Sequence, residues 1–359
     1  MSEPRSSNRS LPATHLVAVS GRPGEIHFEE RPVPDPAPGT VLVEVSHCGV
    51  CGSDLHLMME GWGGPGIVHG HEYSGEIVAL GEGAAEAGWK VGERIVCGPS
   101  PRCGRCEGCR SGNPSQCANR GEFDIDGGDG AYARYVQVDV RSLLRVPAGL
   151  GLREAALAEP LAVALHGINR GGVRAGDTVM VFGAGPIGAL SVAVLVDRGI
   201  GPITVVEPAE ARQRLATRLG ADRVVHPAEL PSFGPHQPDH LAPDAVHVVL
   251  ECSGKRAAME AGLQQLRRGG RLVLVGAGIE APTFDPNRIL LNELTITGSF
   301  VYDEGGFDTA LDLLASGRLP TDVLIEPGDV PLRGLADAMA GLLAGELAGK
   351  VMIIPEEHR

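Results

Sequence analysis

The feature that most constrains this chain is an uncharged stretch, Val179 to Val196, broken by Gly183, Gly185, Pro186 and Gly188. Its length would suit a membrane span, but glycine and proline in this pattern read instead as a strand, a tight turn and a helix. Thr178-Val-Met-Val-Phe-Gly-Ala-Gly-Pro-Ile-Gly188 puts three glycines straight after the strand and at the mouth of the helix. In such a motif the first glycine makes the turn, the second lets backbone approach a pyrophosphate, and the third lets helix and strand pack closely. Pro186 and Ile187 complete the loop, and the helix N-terminus offers N–H groups and a positive dipole end to phosphates. A glycine turn in an ordinary α/β domain is the plainer alternative.

The next apolar run, Ile203-Thr-Val-Val-Glu207, ends on an acid 24 residues after Gly183. A carboxylate there accepts hydrogen bonds from ribose hydroxyls and repels a 2′-phosphate, which favours NAD over NADP. Arg212 either lies against the adenine or is a solvated helix arginine. Strands are expected at about 178–183, 202–207, 223–226, 245–250, 271–276 and 293–298, and helices at about 186–198, 209–219 and 255–267. This alternation predicts a doubly wound parallel sheet.

The flanks read differently. Residues 15–150 carry short branched runs such as Val41-Leu-Val-Glu-Val45 and Ala133-Arg-Tyr-Val-Gln-Val138, separated by Gly and Pro, which suits a barrel or sandwich. Residues 154–165 are helical in composition, with an interruption expected at Pro160. The last sixty residues, with helices expected near 304–316 and 331–344 and a strand at 350–354, do not extend the parallel sheet. Residues 1–14 are polar and read as a frayed tail without a signal peptide. With 31 basic against 45 acidic residues the chain carries −14, so the basic footprint of a nucleic-acid binder is missing. Clustered cysteines and the lack of a leader point to a reducing cytoplasm, and nothing points to a membrane.

Eight cysteines are present, and four of them, Cys103, Cys106, Cys109 and Cys117, are spaced by two, two and seven residues in one glycine-rich loop. Short turns deliver four thiolates at this spacing to a closed tetrahedral zinc site with no position left for substrate. An iron–sulfur cluster or a disulfide pair is the rival reading. A second set is dispersed: Cys51 in Cys48-Gly-Val-Cys51-Gly-Ser-Asp54, His71-Glu72 after Gly70, and Glu159 in Glu159-Pro-Leu161. Thiolate, imidazole and carboxylate together make an open zinc site, with a coordination position for an alcohol oxygen. Only one of His69 and His71 is expected to reach the metal, and Cys48, Cys97 and Cys252 are expected to be buried and inert.

In this order, Cys-Gly-Val-Cys-Gly-Ser-Asp, Gly-His-Glu, the four-cysteine loop, Glu-Pro-Leu and Gly-Ala-Gly-Pro-Ile-Gly resemble the zinc-containing medium-chain dehydrogenase/reductase family, from about residue 15 to 355. The resemblance implies a GroES-like β-barrel catalytic domain, residues 15–165 and 300–359 with a zinc loop at 97–120, interrupted by a Rossmann domain at 166–299. It also implies two zinc ions per chain. Cys51, His71 and Glu159 match the catalytic ligands, with Glu72 ligating or just behind the metal, and Cys103, Cys106, Cys109 and Cys117 match the structural ones. Ser53 and His56 match a proton relay.

The implied reaction is reversible oxidation of a secondary alcohol to a ketone with hydride passing to NAD. Glu-Pro-Leu is similar to the sorbitol and butanediol branches, although animal polyol enzymes lack the four-cysteine loop. Amino-alcohol, threonine-type, aminocyclitol and primary-alcohol substrates stay open. So do a zinc-free quinone reductase and a non-catalytic nucleotide-binding scaffold. Trp62, Phe123, Phe300 and Tyr302 fall in segments that either wall a cleft or pack into core. The resemblance further implies a homodimer or homotetramer, with strand 293–298 as a possible sheet-edge contact.

Overall fold

Short apolar runs, most of them followed by a helix-forming stretch, build the centre of the molecule as a parallel sheet whose inner strands are buried on both faces. The computed structural model describes residues 11–98, 103–119, 130–234, 236–303 and 305–355. Among the described residues seven strands precede the glycine motif: β1 (Thr14–Ser20), β2 (Ile26–Pro32), β3 (Thr40–Gly49), β4 (Glu72–Leu80), β5 (Arg94–Cys97), β6 (Tyr135–Asp139) and β7 (Leu143–Arg145). A 13-residue helix, α1 (Ala158–Arg170), leads out of this region.

The parallel sheet follows, with β8 (Val179–Phe182), β9 (Ile203–Val206), β10 (Arg223–Val225), β11 (Val246–Glu251), β12 (Leu266–Leu274) and β13 (Thr295–Gly298). Its crossovers carry α2 (Pro186–Asp197), α3 (Glu210–Arg218), α4 (Arg256–Gln264) and α5 (Pro286–Leu291). The strand order β10-β9-β8-β11-β12-β13 is that of a doubly wound dinucleotide fold, with the switch point between β8 and β11. Alternate residues serve opposite cores. Val179 and Val181 face the layer shared with α1 and α2, whereas Met180 and Phe182 face the layer formed with Leu263 and Leu266.

Beyond β13 come α6 (Gly306–Ala315), β14 (Val330–Pro331), α7 (Leu335–Ala344) and β15 (Met352–Ile354). The chain end returns to its beginning: β15 pairs antiparallel with β3, Met352 opposite Gly49 and Ile353 opposite Cys48. The second sheet therefore runs β14-β15-β3-β4-β5-β7, with β6 also on β3. Register shifts on β3 between Leu42 and Val43 and between Val45 and His47 bend the strand that leads into Cys51.

Two expectations need correction. Pro160 does not interrupt its helix; it sits in the first turn of α1, where no intrahelical partner is needed for the missing N–H. The break falls earlier, between a short turn at Leu152–Ala155 and Ala158. The strand expected at 271–276 starts at Leu266 and ends at Leu274. Among the described residues no helix is long and apolar enough to cross a membrane.

Candidate metal centres and dinucleotide cleft

The dispersed donors converge at the end of β3. Cys51 follows the strand, and a short helical turn, Gly52–Asp54, brings Asp54 back so that its Oδ2 accepts the Cys51 N–H at 3.0 Å. The same oxygen accepts the Tyr132 hydroxyl at 2.6 Å, and Asp54 Oδ1 lies 3.6 Å from His71 Nδ1. A histidine whose Nδ1 faces a carboxylate presents Nε2 to a metal, in a fixed orientation. Donor atoms of Cys51, His71 and Glu72 lie within 4.8 Å of one another. Burial opposes a charge on His71, but Asp54 and Cys51 outweigh it and hold the imidazole well above its ordinary pKa. Burial likewise opposes ionisation of Asp54, yet His71, Tyr132 and the Cys51 N–H keep its carboxyl below the usual range.

Glu72 opens β4 fully buried, and its carboxylate is engaged by Lys350 Nζ at 2.7 and 2.5 Å. Lys350 also donates to Val50 O at 3.0 Å, and Gly49 leaves the space into which the Glu72 carboxylate projects. Glu159, in the first turn of α1, is buried beside this group but does not belong to the three-donor set. Burial pushes its carboxyl up to about 7, against the pull of His71. His69 is buried and outside the donor group, and the Cys97 thiol is pushed by burial up to about 12.

Ser53 Oγ is buried with no hydrogen-bond partner among the described residues. His56 Nδ1 lies 2.8 Å from Glu60 Oε2, and its ring stacks on Trp62 at 4.5 Å and 13°. Trp62 is therefore the platform of His56. Tyr302, expected at either a wall or a core, is core: it is buried and packs edge-on against Phe307 at 5.1 Å. Phe123 lies outside the described residues.

The four thiols Cys103, Cys106, Cys109 and Cys117 also lie within 4.8 Å of one another. The loop's own backbone surrounds them with donors. The Arg105 N–H, ahead of the Asn119 side chain, draws Cys103 down to about 6, and the Ala118 N–H donates to Cys106 Sγ at 3.5 Å. Burial and the neighbouring thiols push Cys109 up to about 12. Four convergent sulfurs, some already favoured as thiolates, fit a closed tetrahedral metal site.

At the glycine motif, Gly183 has φ +84°, and a Cβ on Gly188 would stand 1.9 Å from Gly183 O, so helix and turn touch through the missing side chain. A Cβ on Gly185 would meet nothing within 4 Å, which leaves a cradle ahead of α2 of the kind a pyrophosphate fills. Pro186 and Ile187 begin that helix. Glu207 is buried, and its two oxygens accept the Ala184 N–H at 2.7 Å and the Ala209 N–H at 2.9 Å. Arg212 reaches from α3 to Leu342 O at 2.6 Å. A cleft of about 650 Å³ opens at the strand ends, lined by Val275, Gly276, Ala277, Ser299 and Phe300 and by part of the four-cysteine lobe.

Asp54 and Lys350 are the residues sequence reading missed. An acid three residues after Cys51, where a helical turn begins, was a usable signal. Lys350 had none, because its partner is 278 residues away.

Residues 37–148 match the alcohol dehydrogenase GroES-like domain, and residues 186–316 match the zinc-binding dehydrogenase domain. A probable D-xylulose reductase A of Aspergillus clavatus is 33% identical over 90% of this chain and 92% of its own length. Sorbitol dehydrogenase of Bacillus subtilis is 33% identical over 88% of this chain and 90% of its own. The crystal structure of 2R,3R-butanediol dehydrogenase from Bacillus subtilis superposes with a TM-score of 0.82 at 29% identity, covering 95% of this chain and 100% of that one. With the two donor groups and the glycine cradle on one doubly wound scaffold, the chain belongs to the zinc-containing medium-chain dehydrogenase/reductase family of oxidoreductases.

Proposed function

We propose that this oxidoreductase interconverts a secondary alcohol, of the polyol or diol class, with its ketone, using NAD. The observation that carries the reading is the Cys51, His71 and Glu72 donor group with an unpartnered, buried Ser53 hydroxyl near it in sequence. The curated relatives' xylulose and sorbitol chemistry supports the substrate class. A zinc ion supplies Lewis acidity to the substrate hydroxyl, and a nicotinamide ring supplies the hydride acceptor. Cys51 and His71 would hold the metal, with Glu159 and Glu72 as the carboxylates available to it. Lys350 holds the Glu72 carboxylate in place, and Asp54 orients His71.

Ser53 takes the hydroxyl proton, and His56, backed by Glu60, passes it towards solvent. Gly183, Gly185, Pro186, Ile187 and Gly188 receive the pyrophosphate. Glu207 and Arg212 are the residues proposed for the adenosine end, where a carboxylate selects NAD over NADP. The four-cysteine lobe holds a second, structural zinc ion. The sheet memberships support a division into residues 15–165 with 300–359 and residues 166–299.

The oligomer proposed is a pair of chains meeting at β13, which ends the parallel sheet beside the exposed Leu290 and Leu291. Eight free thiols suit a reducing cytoplasm. The decisive experiment measures zinc content and NAD reduction with sorbitol, xylitol, 2,3-butanediol, threonine, an aminocyclitol and simple alcohols. Two zinc ions per chain and turnover of a vicinal secondary alcohol are expected. NAD binding with no turnover of any of these alcohols overturns the reading.

A further inference from the structure

The four-cysteine lobe does more than close around a metal. Between Cys109 and Cys117 a single turn, Pro114–Gln116, carries the buried Ser115, whose hydroxyl donates to Asp303 Oδ1 at 2.8 Å. The other oxygen of Asp303 lies 3.2 Å from Nδ1 of His166, a buried residue on α1 about two turns beyond Glu159. One carboxylate therefore touches the lobe with one oxygen and the helix of the catalytic centre with the other.

The corner that presents Asp303 is itself fixed. Between β13 and α6 the chain turns at Val301 with φ +48°, a conformation that β-branched residues rarely adopt and that surrounding structure must enforce. On one side of that residue Phe300 lines the cleft, and on the other Tyr302 is buried against Phe307. Arg170 pins the same corner from α1, donating to Gly298 O at 3.2 Å and Thr297 Oγ1 at 2.7 Å. The cleft is bordered by all of these parts: Ser115, Gln116 and Cys117 of the lobe line it together with His166, Arg170, Ser299 and Phe300.

We propose that Asp303 is a positioning residue that clamps the four-cysteine lobe against the cleft, so that zinc in the lobe and dinucleotide in the cleft bind cooperatively. Metal orders the lobe, the clamp turns that order into a cleft wall, and a dinucleotide filling the cleft opposes opening of the lobe. By linkage the effect is reciprocal: whatever factor zinc adds to dinucleotide affinity, dinucleotide adds to zinc affinity. The inference rests on taking this cleft, which opens at the carboxyl ends of the parallel strands, as part of the dinucleotide site.

The test follows zinc loss to a chromophoric chelator, with and without saturating NADH, alongside NADH affinity by fluorescence. A Cys51→Ser background ensures that only the lobe's zinc is counted. NADH is expected to slow zinc loss about tenfold, within the usual range of coupling between sites. Asp303→Ala should abolish that protection and weaken NADH binding several-fold. Ser115→Ala, a milder truncation that keeps the protein folded should Asp303→Ala fail to fold, should do the same, and Ser115→Thr should restore both. If NADH binds normally while Asp303→Ala and Ser115→Ala leave protection and affinity untouched, the clamp is overturned. If NADH does not bind the unaltered chain at all, the cleft assignment fails first.

Discussion

The two clusters of candidate metal-binding residues are built in opposite ways. Cys103, Cys106, Cys109 and Cys117 come from fifteen consecutive residues, and three of the four are only half-buried. Their thiols are surrounded by N–H groups of their own loop. Cys51, His71, Glu72 and Glu159 come from three separate parts of the chain; Cys51 and His71 are half-buried, Glu72 and Glu159 buried, and a network of Asp54, Tyr132 and Lys350 backs them. A local cluster with little core depends on its ion for shape, because four thiolates repel one another without it. A dispersed cluster has its shape imposed by the fold, which balances the charges with protein groups before any ion arrives. The first is a staple and the second a preformed socket.

The strongest way to break this comparison is to remove one ligand from each cluster. Cys51→Ser should lower turnover by about a thousandfold or more, since the Lewis acid's several kcal/mol are lost at about 1.4 kcal/mol per tenfold. NADH affinity and thermal stability should stay near those of the unaltered chain. Cys109→Ser should give the reverse pattern: loss of one zinc ion, clear thermal destabilisation and rapid proteolytic nicking in the lobe, with a smaller loss of turnover. Equal effects on stability from both substitutions would refute the division into staple and socket.

Lys350→Met isolates the socket's internal balance. Lys350 is 2% exposed and Glu72 0%, so the substitution strands a buried carboxylate and should cost about 3–5 kcal/mol in urea unfolding. Adding Glu72→Gln should recover most of that loss. If the single substitution is harmless, the pair does not hold the site together. The smallest effect is expected from Tyr132→Phe, which removes the donor 2.6 Å from Asp54 Oδ2. A loss of about 1–3 kcal/mol should follow, the penalty of an under-satisfied buried acceptor. Zinc bound in the lobe should be unaffected, which keeps the readout specific to the socket.

How far the sequence could be read follows the same division. The four-cysteine lobe and the glycine motif were legible because their chemistry lies in spacing over a few residues, which survives any tertiary arrangement. Five of the six parallel strands were found within two residues of their observed ends, because a buried strand needs an apolar run whatever its neighbours; β12 begins five residues before the expected start. Pro160 was misread because proline breaks a helix interior and is tolerated in a first turn, so the outcome hangs on where the helix begins. Aromatic residues could not be sorted. Phe300 lines the cleft, Tyr302 packs inward and Trp62 carries His56, and composition is the same for all three roles.

The amino-acid sequence by itself determined the doubly wound scaffold, the glycine cradle and the four clustered cysteines. These rest on local periodicity and on residue chemistry that few other arrangements can use. Only the tertiary structure decided that β15 returns to β3 and brings Lys350 onto Glu72, that Asp54 backs His71, and that Asp303 joins the lobe to α1. Each of these is a contact between segments far apart in the chain. Their strength comes from burial and distance, quantities that exist only once the chain has folded.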